Sequence, residues 1–118
     1  MRRTMLKSKL QNAIVTFADL EYEGSLGLDE RLLEAADLIP FEKVHVYNVT
    51  NGERFSTYLI KEEAGSGRVA IYGAAAHKAG PGDRLIIVSF VLLEDGEIDY
   101  FTPKIVILDG RNGIKAIR

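Results

Sequence analysis

The chain contains no cysteine. That excludes disulfides, thiol catalysis and thiolate metal sites, and it fits a reducing compartment. No apolar run approaches the roughly 18 residues that a membrane-crossing helix needs, so no membrane partner is expected. Charge of neither sign is in excess: 15 Lys and Arg face 17 Asp and Glu, for a net charge of -2. A module that grips a duplex by its phosphates carries a basic surplus, so no nucleic-acid partner is expected. The basic start Met1-Arg2-Arg3-Thr4-Met5 runs into Lys7, Ser8 and Lys9. A signal peptide would continue into an apolar segment, so a cytoplasmic protein is expected. His45 and His77 have no companions at metal-ligand spacing, and no metal is expected. Neither a phosphate-binding glycine loop nor a Gly-x-Ser-x-Gly elbow occurs.

What is present suits one folded domain over residues 1–118. Hydrophobic residues make up 47% and charged residues 27%, enough apolar surface to offset the entropy of ordering. The 11 glycines outnumber the 3 prolines and fall between short β-branched and aromatic runs. Strands are predicted over Ala13–Phe17, Val44–Val49, Phe55–Ile60, Val69–Tyr72, Arg84–Val91 and Lys104–Leu108. Asn51-Gly52 predicts a tight hairpin between the second and third of these. Gly65-Ser66-Gly67 predicts a hairpin turn between the third and fourth. Asp95-Gly96, Asp109-Gly110 and Asn112-Gly113 predict turns near the C-terminus. Asp29–Asp37 predicts a helix with Asp29 as N-cap, an apolar face of Leu32, Leu33 and Ala36, and Pro40 as its stop. A shorter helical turn is predicted over Ala74–His77. The acidic pairs Glu62-Glu63 and Asp95/Glu97 adjoin turn glycines and read as solvated charge. The pattern predicts a mainly β protein: a small closed or nearly closed barrel with one or two short helices.

Two Gly-Ser dipeptides stand out, Gly24-Ser25 and Gly65-Ser66. Gly-Ser is ordinarily a loop. Where a fold strains the peptide, however, the serine hydroxyl can attack the preceding carbonyl and turn the amide into an ester. Elimination and hydrolysis then leave a pyruvoyl group. Glycine suits this chemistry because it leaves the attacked carbonyl uncrowded and tolerates unusual dihedrals.

The context selects the first dipeptide. Met5-Leu6-Lys7-Ser8-Lys9-Leu10 and Val15-Thr16-Phe17-Ala18-Asp19-Leu20-Glu21-Tyr22-Glu23-Gly24-Ser25 resemble the amino-terminal region of the pyruvoyl-dependent aspartate 1-decarboxylase family. The resemblance continues through Asn51-Gly52-Glu53-Arg54-Phe55-Ser56-Thr57-Tyr58, Gly65-Ser66, Gly73-Ala74-Ala75-Ala76-His77 and Gly82-Asp83, and loosens from Glu94. It implies a double-psi β-barrel made as a proenzyme. Cleavage at Gly24-Ser25 would give a 1–24 β chain and a 25–118 α chain carrying a covalent pyruvoyl group from Ser25. It further implies conversion of L-aspartate to β-alanine and CO2 through a Schiff base, for pantothenate and coenzyme A synthesis. The family forms homotetramers with active sites between subunits, and some members need an accessory protein for maturation. Gly65-Ser66 stays a turn.

The resemblance also assigns roles. Arg54 matches the position that holds a substrate carboxylate, for which a guanidinium offers bidentate geometry. Lys9 matches a charged substrate contact, and Tyr58 matches the proton donor to the decarboxylated intermediate. Thr57 matches the hydroxyl that contacts the Gly24 carbonyl during cleavage. The Gly73-Ala74-Ala75 backbone matches a substrate-binding segment whose N–H groups can approach an anion. Tyr22 lies close before the cleavage bond and either shapes the pocket or packs. There are two departures. Gln11-Asn12 stands where many members carry His-Arg, and Tyr72 replaces the Asn of an Asn-Gly-Ala-Ala-Ala run. A tyrosine at 72 would either fill the pocket or redirect its hydroxyl. These departures motivate two alternatives: a non-processing homologue with a binding or regulatory role, and a pyruvoyl decarboxylase of altered substrate choice such as glutamate. A plain β-barrel interaction module would require every motif match to be chance.

Overall fold

A computed structural model describes residues 1–118. The chain runs β1 (Arg2–Ile14), β2 (Phe17–Asp19), β3 (Ser25–Asp29), α1 (Glu30–Ala35), β4 (Lys43–Asn48), β5 (Arg54–Glu62) and β6 (Val69–Tyr72). A 3-10 turn (Gly73–His77) follows, then β7 (Arg84–Glu94), α2 (Asp95–Ile98), β8 (Lys104–Leu108) and β9 (Ile114–Ile117). The strands hydrogen-bond in the order β2-β6-β3-β5-β4-β7-β1-β8-β9. Laid flat, that order would put β1 and β2 six strand spacings apart, about 29 Å. Only Val15 and Thr16 join them, and from Ile14 to Phe17 the chain can reach at most about 11 Å. The sheet therefore has to curl until β2 comes round to the end of β1, with β8 and β9 extending beyond it, which makes it a small barrel. The joint is bonded on both sides: Val15 N–H donates to the Asp83 carbonyl and Thr16 N–H to the Val69 carbonyl.

Alternation fills the barrel. In β4, Val44 and Val46 are buried and His45 and Tyr47 half-buried, the pattern of a strand with one face on the core. Leu10, Leu26, Leu28, Leu59, Ile71, Leu85, Ile87 and Leu108 complete the interior. Truncating any of these leucines to Ala would cost about 2–5 kcal/mol through lost burial and the cavity left behind.

The Asn51-Gly52 hairpin forms as expected, joining antiparallel β4 and β5. Other expectations are corrected. The Ala13–Phe17 run is not one strand: it straddles the end of the long β1 and the start of β2. The Gly65-Ser66-Gly67 turn is not a hairpin turn, because β3 lies between its flanking strands, parallel to β5 and antiparallel to β6. Asp95-Gly96 opens α2, which carries a Glu94/Glu97 capping box. α1 ends before Pro40 acts, since Asp37 takes φ 56 and Leu38 N–H returns to the Leu33 carbonyl. Asp29 does cap α1. Its buried carboxylate accepts from the N–H groups of Arg31 (2.8 Å), Gly67 (2.8 Å) and Gly65 (3.1 Å). Burial pushes this carboxyl up, but the three N–H donors outweigh it and hold it below the usual range.

Candidate active site

The site forms where β3 starts late. Pairing between β3 and β5 begins at Leu26 opposite Leu59, so the β5 edge from Phe55 to Tyr58 has no partner on that side. A cavity of about 430 Å³ occupies the gap, lined by Gly24, Phe55, Ser56, Thr57, Tyr58, Tyr72, Ala74, Ala75 and Lys78. Carrying the register back one and two residues puts Ser25 beside Tyr58 and Gly24 beside Thr57. Ser25 is 2% exposed, whereas Gly24 faces the cavity.

Gly73 closes on the Gly24–Ser25 peptide from the other side. Ser25 pairs with Tyr72, the last residue of β6, and the chain then turns through Gly73 at φ 75. A Cβ at Gly73 would lie 2.6 Å from Gly24 Cα and 2.8 Å from Gly24 N. Two backbones therefore touch at a point that admits no side chain. The turn behind them is held by Asn48 and Asn51, whose amide groups both donate to the Lys78 carbonyl at 3.0 Å.

The sequence-predicted residues divide into two groups. Gly24, Thr57, Tyr58, Tyr72, Ala74 and Ala75 line one cavity, with Ser25 and Gly73 at its wall. Tyr22 lies beside them, its ring packed at a tilt against Tyr72 with centroids 4.8 Å apart. Lys9, Gln11 and Arg54 do not reach that cavity. Gln11 pairs with Ile86, Ile86 with Tyr47, and Tyr47 with Arg54, so these four form one row across β1, β7, β4 and β5. Lys9, Val88, His45 and Ser56 form the next row on the same face. Paired residues point the same way, so Lys9, Gln11, Arg54 and Tyr58 all project from the outer face of one sheet. The Arg54 guanidinium lies 4.2 Å over the Tyr47 ring and borders a separate recess with Asn48, Glu53 and Ile86.

Tyr72 resolves one of the two alternatives weighed for it. Its ring borders the cavity, but its hydroxyl turns away to donate to Glu62 at 3.2 Å and accept from Arg68 at 3.4 Å. Glu62 is thus not solvated charge: it pairs with Arg68 at 2.7 Å and is largely covered. Sequence reasoning missed Lys78, the one cation lining the cavity, and Tyr47, the ring beneath Arg54. Lys78 carried a faint signal, one residue past the matched Gly73–His77 run; Tyr47 carried none beyond strand chemistry. Ser25 fits as the source of a pyruvoyl group. It is a buried serine, and its preceding carbonyl belongs to a cavity-facing glycine.

Comparison with known proteins agrees with this arrangement. A family model described as aspartate decarboxylase matches residues 1–115. The aspartate 1-decarboxylase of Cupriavidus necator is 52% identical over all of this chain and 98% of its own length. That of Chromobacterium violaceum is 52% identical over all of this chain and 94% of its own. The Nitrosococcus oceani protein of the same name is 53% identical over 97% of this chain and 90% of its own. With the match running through the cavity residues and on to the last strand, the chain belongs to the aspartate decarboxylase family.

Proposed function

We propose that this chain is an aspartate 1-decarboxylase proenzyme that cuts itself at Gly24–Ser25 and then converts L-aspartate to β-alanine and CO2. The observation that carries it is the Gly24–Ser25 bond, pinned by Gly73 in a cavity that also holds Thr57 and Tyr58. In maturation the Ser25 Oγ attacks the Gly24 carbonyl carbon, the C–N bond breaks and an ester forms. Loss of the Ser25 α-proton expels the Gly24 carboxylate and leaves dehydroalanine. Water then replaces its nitrogen, ammonia departs, and residues 25–118 begin with a pyruvoyl group. The Thr57 hydroxyl, beside Gly24, donates to the carbonyl as it gains negative charge.

The pyruvoyl carbonyl supplies the electron sink that no ordinary side chain offers to an amino acid's α-carbon. The chain's own residues bind and orient the substrate. Backbone N–H groups of Gly73, Ala74 and Ala75 face a carboxylate, and Arg54 takes a carboxylate in bidentate fashion. Lys9 offsets the second negative charge. Tyr58 Oη holds the proton that returns to the α-carbon. Tyr72 walls the cavity, and Tyr22 packs against it.

Arg54 and Lys9 lie on the outer face of their own sheet, outside their own cavity. They therefore serve the cavity of a neighbouring copy, in a homotetramer whose active sites lie between subunits on double-psi barrels. The open apolar surface of the protomer supports such an assembly: Phe41 is 77% and Ile39 64% exposed, close to the cavity-lining Tyr58. The product fits cytoplasmic supply of β-alanine for pantothenate. A denaturing mass spectrum tests the reading. Fragments 1–24 and 25–118, the larger with a pyruvoyl end, are expected; Ser25→Ala stays intact and inactive. Decarboxylation by intact Ser25→Ala protein would refute it.

A further inference from the structure

The loop before the cleavage bond is poorly held by its own backbone. Leu20, Glu21, Tyr22, Glu23 and Gly24 are all exposed. Between Leu20 and Gly24 the backbone hydrogen bonds are Tyr22 N–H to the Asp19 carbonyl at 3.4 Å and Glu21 N–H to the Asp19 carboxylate at 3.0 Å. The Gly73 backbone lies against Gly24, and the Tyr22 ring packs on Tyr72 at a tilt of 51°, centroids 4.8 Å apart. Tyr72 is therefore the seat of the loop, and a seat is only as firm as its own supports.

Those supports form a closed set. The Tyr72 hydroxyl donates to Glu62 at 3.2 Å and accepts from Arg68 at 3.4 Å, while Arg68 Nε pairs with Glu62 at 2.7 Å. Arg68 also lies 4.5 Å over the Phe17 ring, which itself packs on Tyr72. Space for the carboxylate exists because residue 27 has no side chain: a Cβ at Gly27 would stand 2.5 Å from Glu62 Oε2. Tyr72, Glu62, Arg68 and Gly27 thus belong to one device on the outward face of β3, the face to which Ser25 also points.

We propose that the Glu62–Arg68 pair, acting through Tyr72 on Tyr22, positions the 20–24 loop for attack by Ser25 and so sets the rate of self-cleavage. None of Glu62, Arg68 and Gly27 lines the cavity; they are positioning residues. The inference rests on the proposed cleavage at Gly24–Ser25. Intramolecular attack requires the hydroxyl and the carbonyl carbon to meet within a few tenths of an ångström, and a loop free to swing would rarely present that geometry.

Two measurements test it. Freshly made wild type, Tyr72→Phe, Glu62→Gln and Gly27→Ala are followed for appearance of the 25–118 fragment, with melting temperatures recorded alongside. Each variant is expected to cleave about fivefold more slowly at temperatures where it is fully folded, on the scale of one lost hydrogen bond. The double variant Glu62→Gln/Tyr72→Phe is expected to be no slower than the worse single, as for groups acting in series. A merely structural role would lower the melting temperature and leave the cleavage rate of the folded protein alone. In the uncleavable Ser25→Ala background, hydrogen exchange of residues 20–24 is expected to speed up when Tyr72→Phe or Glu62→Gln is added. Wild type that cleaves, with variants matching its rate and exchange, overturns this inference and leaves the proposed function standing. Wild type that stays intact removes the proposed function, and unchanged exchange in the Ser25→Ala pairs then overturns the positioning role as well.

Discussion

Gly73→Ala is the sharpest perturbation of the site that a single methyl can make. It acts twice. The residue sits at φ 75, a region that costs an L side chain about 1 kcal/mol more than glycine. The added Cβ would also lie 2.6 Å from Gly24 Cα and 3.1 Å from the Tyr22 carbonyl oxygen. Both neighbours are backbone, so neither can rotate away. Ordinary contact begins near 3.4 Å, so Gly24 has to retreat by about 0.8 Å. With the strain of overpacking added, the total penalty is about 2–4 kcal/mol, a fall in melting temperature of roughly 8–16 °C for a domain of this size. Because misplacement of reacting groups by about 1 Å costs on the order of a hundredfold, cleavage at Gly24–Ser25 should slow by about ten- to a hundredfold even in protein that is fully folded. Differential scanning fluorimetry and timed mass spectrometry read the two effects separately. A Gly73→Ala protein that melts within a degree or two of wild type and cleaves at the wild-type rate would refute both the clash and the idea that Gly73 clamps the scissile peptide.

Arg54→Ala should lower kcat/KM for aspartate by about a hundredfold while cleavage proceeds, on the scale of 2–3 kcal/mol for a charge-assisted pair; an unchanged kcat/KM removes Arg54 from substrate binding. Tyr58→Phe should also cleave but lose about a hundredfold in kcat, the scale of a general acid, and full turnover would point to another proton source. Asp29 carries a pH dependence. Its folded carboxyl titrates below its ordinary value of 3.8, so the stabilisation is present above that value and is lost as pH falls through the folded one. Wild-type melting temperature should therefore drop below about pH 4, and Asp29→Asn, already missing the carboxylate, should show a shallower acid slope; parallel slopes would sink the assignment.

Much of the barrel was legible because its strands are one-sided. β4 alternates its core-facing valines with half-buried residues, β7 carries a β-branched apolar run, and Asn51-Gly52 announces its hairpin. β3 was not legible, for a physical reason. All five residues Ser25-Leu26-Gly27-Leu28-Asp29 are buried, so period-two contrast is absent, and serine, glycine and aspartate are poor strand formers by composition. Its outward face is covered by long-range partners that a local pattern cannot contain: Glu62 over Gly27, and the Gly65 and Gly67 N–H groups on Asp29. The same blindness hid Glu62, whose neighbours Glu63 and Gly65 look like an exposed turn. Motif order, by contrast, singled out Gly24, Ser25, Thr57, Tyr58 and Gly73, which the fold brings together at one cavity and its edge.

The division of the site into a cavity and an outer row separates two requirements that one sequence motif runs together. Gly24, Ser25, Thr57 and Gly73 meet within one chain, so everything proposed for self-cleavage is present in a protomer. Lys9 and Arg54 lie on the outer face of the sheet, in the rows that run from β1 to β5. Across three strand spacings, about 14 Å, Lys9 is too distant to share a four-carbon substrate with the Gly24 end of its own cavity. A dicarboxylate in a protomer's cavity would find one cation, Lys78, itself paired with Glu53 at 3.1 Å. On the proposed function, maturation would follow from the fold of one chain, whereas affinity for a doubly charged substrate would follow from assembly. A variant that breaks the oligomer without unfolding the barrel should accordingly retain cleavage and lose aspartate turnover, and one that keeps both would place Lys9 and Arg54 outside the reaction.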